Sequence, residues 1–370
     1  MIILNIVFYA FIAVVGIQLI YYLFLFSKFA FLNPQTETPK NIAVSVIICA
    51  KNESENLKKF LPHILKQEYP DFEVVLINDN SHDDTLDIME EFAAKHNNIK
   101  IVNVVPTEAF FGNKKYALTL GIKASKNDYL LFTDADCIPN SKYWIQEISS
   151  HFKTSKSIVL GYGAYAKIKK SFLNKLIRFE TLLTALQYFS FAKSGIPFMG
   201  VGRNLAYKKE EFFKANGFIN HIKVRSGDDD LFINQIATKT NTSICFTKNS
   251  FTISNPKTTY KDWILQKRRH VSTAKYYKPL HKSLLALFYI SQFLFWALAL
   301  ILLITTHAWQ LVLPLFTLRL LVFYIVFGKT SKKLDEKDLV FFLPFLEIFL
   351  IGMQLTIFIT NLIAKPKYWK

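Results

Sequence analysis

Two carboxylates spaced two residues apart, Asp134 and Asp136, close the hydrophobic run Tyr129 to Thr133. That run reads as a buried strand, and the C-terminal end of a strand is where an open α/β sheet exposes functional groups. A carboxylate pair there can hold Mg²⁺ or Mn²⁺ against a diphosphate, although Asp-x-Asp is also common in turns. A second acidic cluster, Asp228-Asp229-Asp230, precedes an apolar helix. Capping that helix needs one carboxylate. Three repel one another unless a metal, a basic group or a proton offsets them, which are surroundings suited to a general base beside an anionic site. The positive counterpart is Gln266-Lys267-Arg268-Arg269-His270, where Arg269 can stabilise charge developing on a leaving diphosphate. A basic patch touching anionic lipid accounts for Lys267 and Arg268 and leaves Gln266 unexplained. Asp79 ends another strand and can accept hydrogen bonds from a base or ribose, with Glu53 beside it after the first strand. Lys114 opens a helix within reach of a phosphate. Each of these is otherwise a surface turn residue.

The elements that must carry these groups alternate strand and helix. Strands are expected at Ala43–Ala50, Phe72–Ile77, Ile99–Val105 and Tyr129–Thr133. Helices are expected at Glu55–Gln67, Asp83–Lys95 and Gly112–Ala124, the first capped by Asn52 or Ser54. β-Branched strands alternating with helices predict an α/β fold with a mostly parallel central sheet. Further on, Trp144–Phe152 reads as a helix, Ile158–Tyr165 as a strand and Gly200–Lys209 as a turn into a strand. Glu210–Ala215, Asp230–Thr238 and Trp263–His270 read as helices, and Ile244–Thr247 as a strand. The segment 167–179 has Phe172, Leu173, Leu176, Ile177 and Phe179 on one face, with Lys169, Lys170, Lys175 and Arg178 at its margins. It reads either as a helix lying in the membrane surface or as an amphipathic core helix.

The chain has 370 residues, 51% of them hydrophobic, and a formal net charge of +17. A basic chain this apolar points to anionic lipid and anionic small molecules, and its long apolar runs exclude a soluble nucleic-acid binder. Cys49, Cys137 and Cys245 are too scattered for a zinc set and read as reduced, buried small hydrophobes. Ile2 to Phe26 exceeds the roughly 20 residues that span a bilayer and lacks a cleavage site, so it reads as a retained anchor. The expected division is an anchor at 1–27, a linker at 28–42, a catalytic domain at 43–282, about three membrane helices at 283–364 and a basic tail at 365–370. Membrane-surface helices are expected near 167–190 and 260–280. Gly328–Asp338 reads as a charged loop. With Lys28 and that loop cytoplasmic, four spans leave Lys365, Lys367 and Lys370 outside, against the positive-inside tendency. A last segment that stops short of a full span removes the conflict. Glu347 within it is costly in hydrocarbon and is expected to line an acceptor site.

The ordered motifs resemble those of family 2 glycosyltransferases of the GT-A fold. The resemblance is to the membrane-bound kind related to chitin, hyaluronan and cellulose synthases and ceramide glucosyltransferases. It runs from about Val44 to His270: Val46–Glu53, Ile77–Ser81 with Asp84-Thr85, Gly112–Leu118, Thr133–Asp136, Gly200–Asn204, Gly227–Asp229 and Gln266–His270. Thr119 stands where the family has asparagine, Asp228 where it has glutamate and His270 where it has tryptophan. The resemblance implies an inverting, metal-dependent transfer from a UDP-sugar to a lipid or lipid-linked acceptor. In it Asp134 and Asp136 hold the metal, and Asp79, Glu53, Lys114 and Asp134 bind the donor. Asp229 is the base, Gln266 and Arg269 assist, and Gly202, Asn204, Asp228 and His270 lie on the acceptor side. It also implies a catalytic domain on the cytoplasmic face of a bacterial inner membrane. Processive polysaccharide synthesis with export, and polyprenyl-phosphate sugar synthesis, are the alternatives it leaves open.

Overall fold

The computed structural model describes residues 1–34, 37–105, 114–224 and 226–363. Gly112 and Asn113 of the expected donor segment, and Lys365, Lys367 and Lys370, lie outside them. In chain order, α1 (Ile2–Ile20) passes through one widened π-type turn, Tyr21–Phe26, into α2 (Ser27–Ala30). Then follow β1 (Val44–Ala50), α3 (Ser54–Leu65), β2 (Phe72–Asn78), α4 (Thr85–Lys95), β3 (Ile99–Asn103), α5 (Lys114–Ala124) and β4 (Tyr129–Asp134). The second half adds β5 (Cys137–Pro139), α6 (Trp144–Ser150), β6 (Ile158–Leu160), β7 (Gly163–Tyr165), α7 (Phe172–Lys193), β8 (Leu205–Lys208), α8 (Lys209–Lys214) and α9 (Asp230–Ile236). It closes with β9 (Thr242–Ile244), β10 (Thr252–Ser254), α10 (Tyr260–Val271), α11 (Pro279–Ile304), α12 (Trp309–Lys333) and α13 (Leu343–Ile363).

Seven strands form one sheet in the order β3-β2-β1-β4-β8-β6-β9, in which β8 alone runs antiparallel to its neighbours. The strands are apolar on both faces because helices cover both. On one side α3 and α6 pack Leu57, Leu61, Ile64, Trp144 and Ile148 against Val46, Ile48, Val74 and Leu131. On the other, Ala117, Leu118 and Ile122 of α5 meet Ile47, Val75 and Ile77. This is the α/β architecture the alternation predicts.

Several boundaries differ from expectation for identifiable reasons. Neither Asn52 nor Ser54 caps α3. Glu53 occupies the cap position, and the free N–H groups of Glu53 and Ser54 donate to Thr85 Oγ1 (2.8 Å) and Asp83 Oδ2 (3.3 Å) of the next loop. The single strand expected at 158–165 is two, β6 and β7. They break at Gly161, where a Cβ would lie 2.5 Å from the Asn204 side chain. The strand expected at 244–247 is centred earlier, at Thr242–Ile244. The charged loop expected at 328–338 is helical as far as Lys333, because its Lys, Thr and Ser residues tolerate a helix and Thr330 and Ser331 are buried. The domain boundary expected at 282 falls inside α11.

Among the described residues, four helical segments are long and apolar enough to cross a membrane: Ile2–Ala30, Pro279–Ile304, Trp309–Lys333 and Lys337–Ile363. They meet around a buried ion pair. Arg319 of α12 donates to both carboxylate oxygens of Glu347, at 2.8 and 2.5 Å, and to Gln18 Oε1 and Tyr22 OH. Gln292 and Trp296 donate to the same carboxylate. Glu347 therefore lines no acceptor site; Arg319 neutralises it. The face of α7 that carries Leu173, Leu176, Ile177 and Phe179 is buried in protein, which is the core-helix alternative. Arg178 does not reach for lipid phosphate. It is 2% exposed and bridges Glu336 and Asp338. Before α13 begins, Asp338 is held by Arg178 of α7; near its other end, Asn361 accepts from Arg268 of α10 at 2.8 Å. The α/β domain thus contacts the chain just before α13 and near that helix's C-terminal end.

Candidate active site

β4 ends at Asp134, and the chain crosses to the small sheet β5-β10-β7 before Cys137. Asp134 and Asp136 thus sit where two sheets part. Ligand atoms of Asp134, Asp136 and Cys137 lie within 4.8 Å of one another. Burial, then the Asp136 charge, pushes the Cys137 thiol far up, and its Sγ is 2.9 Å from Ser254 Oγ. That contact turns the thiol toward the small sheet, and a soft sulfur is a poor match for a hard cation beside two carboxylates. The donor set left is two hard carboxylates, which fits Mg²⁺ or Mn²⁺ completed by phosphate oxygens and water.

Lys114, the first residue of α5, places its Nζ 3.0 Å from Asp134 Oδ1 and 3.3 Å from Asp228 Oδ2. Burial opposes its charge, but these two carboxylates hold the ammonium well above its usual range. Burial alone would raise Asp134, and Lys114 brings it below the ordinary carboxylate range. Asp79 follows β2 and is 6% exposed; burial raises it, partly offset by Lys51 and Lys114.

Asp229 is the N-cap of α9. Its Oδ2 accepts from the Gly202 N–H and its Oδ1 from the Asp230 N–H, both at 2.7 Å. Despite these bonds, burial and the flanking Asp228 and Asp230 push its carboxyl up to about 7. The turn before it needs Gly227, at φ +95°. The three acids have three partners: Asp228 takes Lys114, Asp229 takes backbone N–H groups, and Asp230 accepts from Tyr277 OH (2.6 Å) and Thr273 Oγ1. Lys115, a residue missed in the sequence, is fully buried and donates to the carbonyls of His221, Val224 and Ser226. It pins the approach to Asp228.

One cavity of about 480 Å³ is lined by Glu53, Asp79, Lys114, Asp134 and Asp136 on the donor side and by Gly202, Asp228, Asp229, Gln266, Arg269 and His270 opposite. Its far end reaches Leu285 of α11 and Gln354 of α13. Every expected site residue is there except Asn204. Asn204 is 0% exposed and ties Trp144 Nε1, the Tyr162 carbonyl and the Ser250 carbonyl together, so it is a buried fastener beside the site. Its neighbour Arg203 lines the cavity instead, stacked 4.2 Å over Tyr165 and bonded to the carbonyls of Gly163 and Ala164. Only the alternation of side chains about that loop could have separated the two. His270 is exposed and opens on the cavity, with Lys267, Arg269 and Arg203 among the charges around its imidazole.

Residues 45–215 match the model of Glycosyl transferase family 2. A probable glycosyltransferase of Bacillus subtilis is 33% identical over 149 residues, 40% of this chain and 34% of that one. A poly-beta-1,6-N-acetyl-D-glucosamine synthase of Staphylococcus epidermidis is 30% identical over 137 residues, 37% of this chain and 32% of that one. The chain thus spans about a third of the length of these curated relatives. A mannosyltransferase of Pyrobaculum calidifontis, solved with GDP-Man and Mn²⁺, superposes with a TM-score of 0.59 at 19% identity, over 90% of this chain and 99% of that one. At that identity the likeness speaks for the fold. Residues 45–215 thus match the family 2 glycosyltransferase model and carry carboxylates that could hold a metal ion, in a chain whose described residues include four helical segments long and apolar enough to cross a membrane.

Proposed function

We propose that the chain transfers a sugar from a UDP-sugar, with inversion, to a lipid or lipid-linked acceptor at a membrane face. The observation that carries this is one cavity joining the carboxylate pair and Lys114 to a raised carboxylate, Asp229, and then to the apolar helices α11 and α13. A divalent cation held by Asp134 and Asp136 would neutralise the departing diphosphate. Asp79 and Glu53 are suited to the base and ribose. Lys114 compensates the acids before the donor binds and is placed to meet a phosphate afterwards. Asp229, with both oxygens oriented by N–H groups and a proton affinity near neutrality, takes the proton from the acceptor hydroxyl. Arg269 and Gln266 lie on the leaving-group and acceptor side.

Incubating the full-length protein with UDP-sugars and GDP-mannose, Mn²⁺ and extracted native lipids, with mass spectrometry of products, tests the reading. A lipid heavier by one or two hexose-type units supports it; sugar released only to water contradicts it. The synthase relative favours a second reading, processive polymerisation, for which the products would be long.

A further inference from the structure

On α7, positions Thr181, Thr184 and Gln187 recur every third residue and face the cavity from an otherwise buried helix. Gln266 of α10 and Gln354 of α13 line the same space. No hydrogen bond from protein reaches the side chains of Gln187, Gln266 or Gln354 among the described residues. Three amides from three different helices thus converge unpartnered on one volume, and Gln354 does so from a segment apolar enough to cross a membrane. The three amides are half-buried and open on the cavity, so a polar ligand that enters it can take the hydrogen bonds that water otherwise fills. A glutamine amide offers two donors and one two-lone-pair acceptor, which matches vicinal hydroxyls. Of the cations that line the cavity, Lys267 pairs with Glu180 and Arg203 with carbonyls and the Tyr165 ring, and Lys257 and Arg269 line it as well.

We infer that Gln187, Gln266 and Gln354 form a subsite for the head group of the acceptor, and that this head group presents the vicinal hydroxyls of a glycosyl unit. The inference rests on the transferase reading and names its substrate class. Gln187 and Gln354 are the residues that extend the site beyond the Gln266–His270 motif.

The test uses the full-length protein in nanodiscs with Mn²⁺ and UDP. Two amphiphiles with the same tail, n-octyl β-D-glucoside and n-octyl phosphate, are titrated below their micelle concentrations by ligand-observed NMR. The glucoside is expected to bind, with Kd rising roughly five- to tenfold in each of Gln187→Leu and Gln354→Leu, the loss of about one or two hydrogen bonds. UDP affinity stays within about twofold of wild type, showing that both variants fold. Octyl phosphate binding as tightly as the glucoside, or a glucoside Kd unmoved in both variants, overturns the inference. Glucoside binding that survives without any UDP binding would remove the transferase reading and leave the subsite standing.

Discussion

Two of the places where the molecule buries charge differ in how far protein groups complete them. In the membrane-type bundle, Arg319 and Glu347 are 0% and 1% exposed, and Gln18, Tyr22, Gln292 and Trp296 bond to the pair, leaving Arg319 Nε without a hydrogen bond. Phe295 and Phe323 close over the guanidinium at 4.5 and 4.8 Å. In the cavity, by contrast, Lys114 pairs with Asp134 and Asp228, while Asp79, Asp136 and Asp229 have no ion pair among the described residues. A completed cluster fixes packing. An uncompleted one keeps an excess of negative charge facing open space, where a cation and a substrate can complete it.

The sharpest way to break that comparison is to neutralise one acid in each. Asp229→Asn keeps the N–H contacts' geometry but cannot take a proton. Transfer should fall by about 10²–10⁴-fold while UDP affinity and melting temperature hold. Unchanged turnover removes Asp229 from the base role. Glu347→Ala leaves Arg319 uncompensated and should cost about 3–5 kcal/mol of stability, seen in unfolding of the detergent-solubilised protein. The folded fraction should retain UDP affinity, and the double change Arg319→Met with Glu347→Leu should recover much of the loss. An effect on transfer without an effect on stability would move Glu347 into the site.

Smaller effects sharpen the contrast. Because Asp229 works only when deprotonated and its carboxyl is raised to about 7, kcat should climb as pH passes through neutrality and level off above it. Asp228→Asn removes a like charge and should move the rise to lower pH. A rise centred in the ordinary carboxylate range would show that burial does not act on Asp229. Since α13 touches the catalytic domain near both ends, a cysteine at position 363 should react with an impermeant label on the same side as a cysteine at position 28. Labelling from opposite sides would restore a full fourth span.

Much of this was legible in the sequence because the site groups follow strands. An apolar β-branched run that stops at Asp79 or Asp134 announces both the strand and its exposed end. What stayed hidden depends on which way neighbours point. Asn204 and Arg203 are adjacent, and the functional one could not be told from the fastener. Lys115 beside Lys114 is buried against three carbonyls 106 to 111 residues away, a contact no local pattern carries. Glu347 looked like a misplaced acid because its partner Arg319 lies on another helix. Gln187 and Gln354 lie on helices far apart in the sequence, and only folding brings them to one cavity.

The most direct measurement is calorimetric titration of UDP into the full-length protein, with Mn²⁺ and with EDTA, for wild type and for Asp134→Ala with Asp136→Ala. Binding that needs Mn²⁺ in wild type and is lost in the double variant is the expected result. UDP affinity indifferent to both the cation and the two carboxylates would contradict the account.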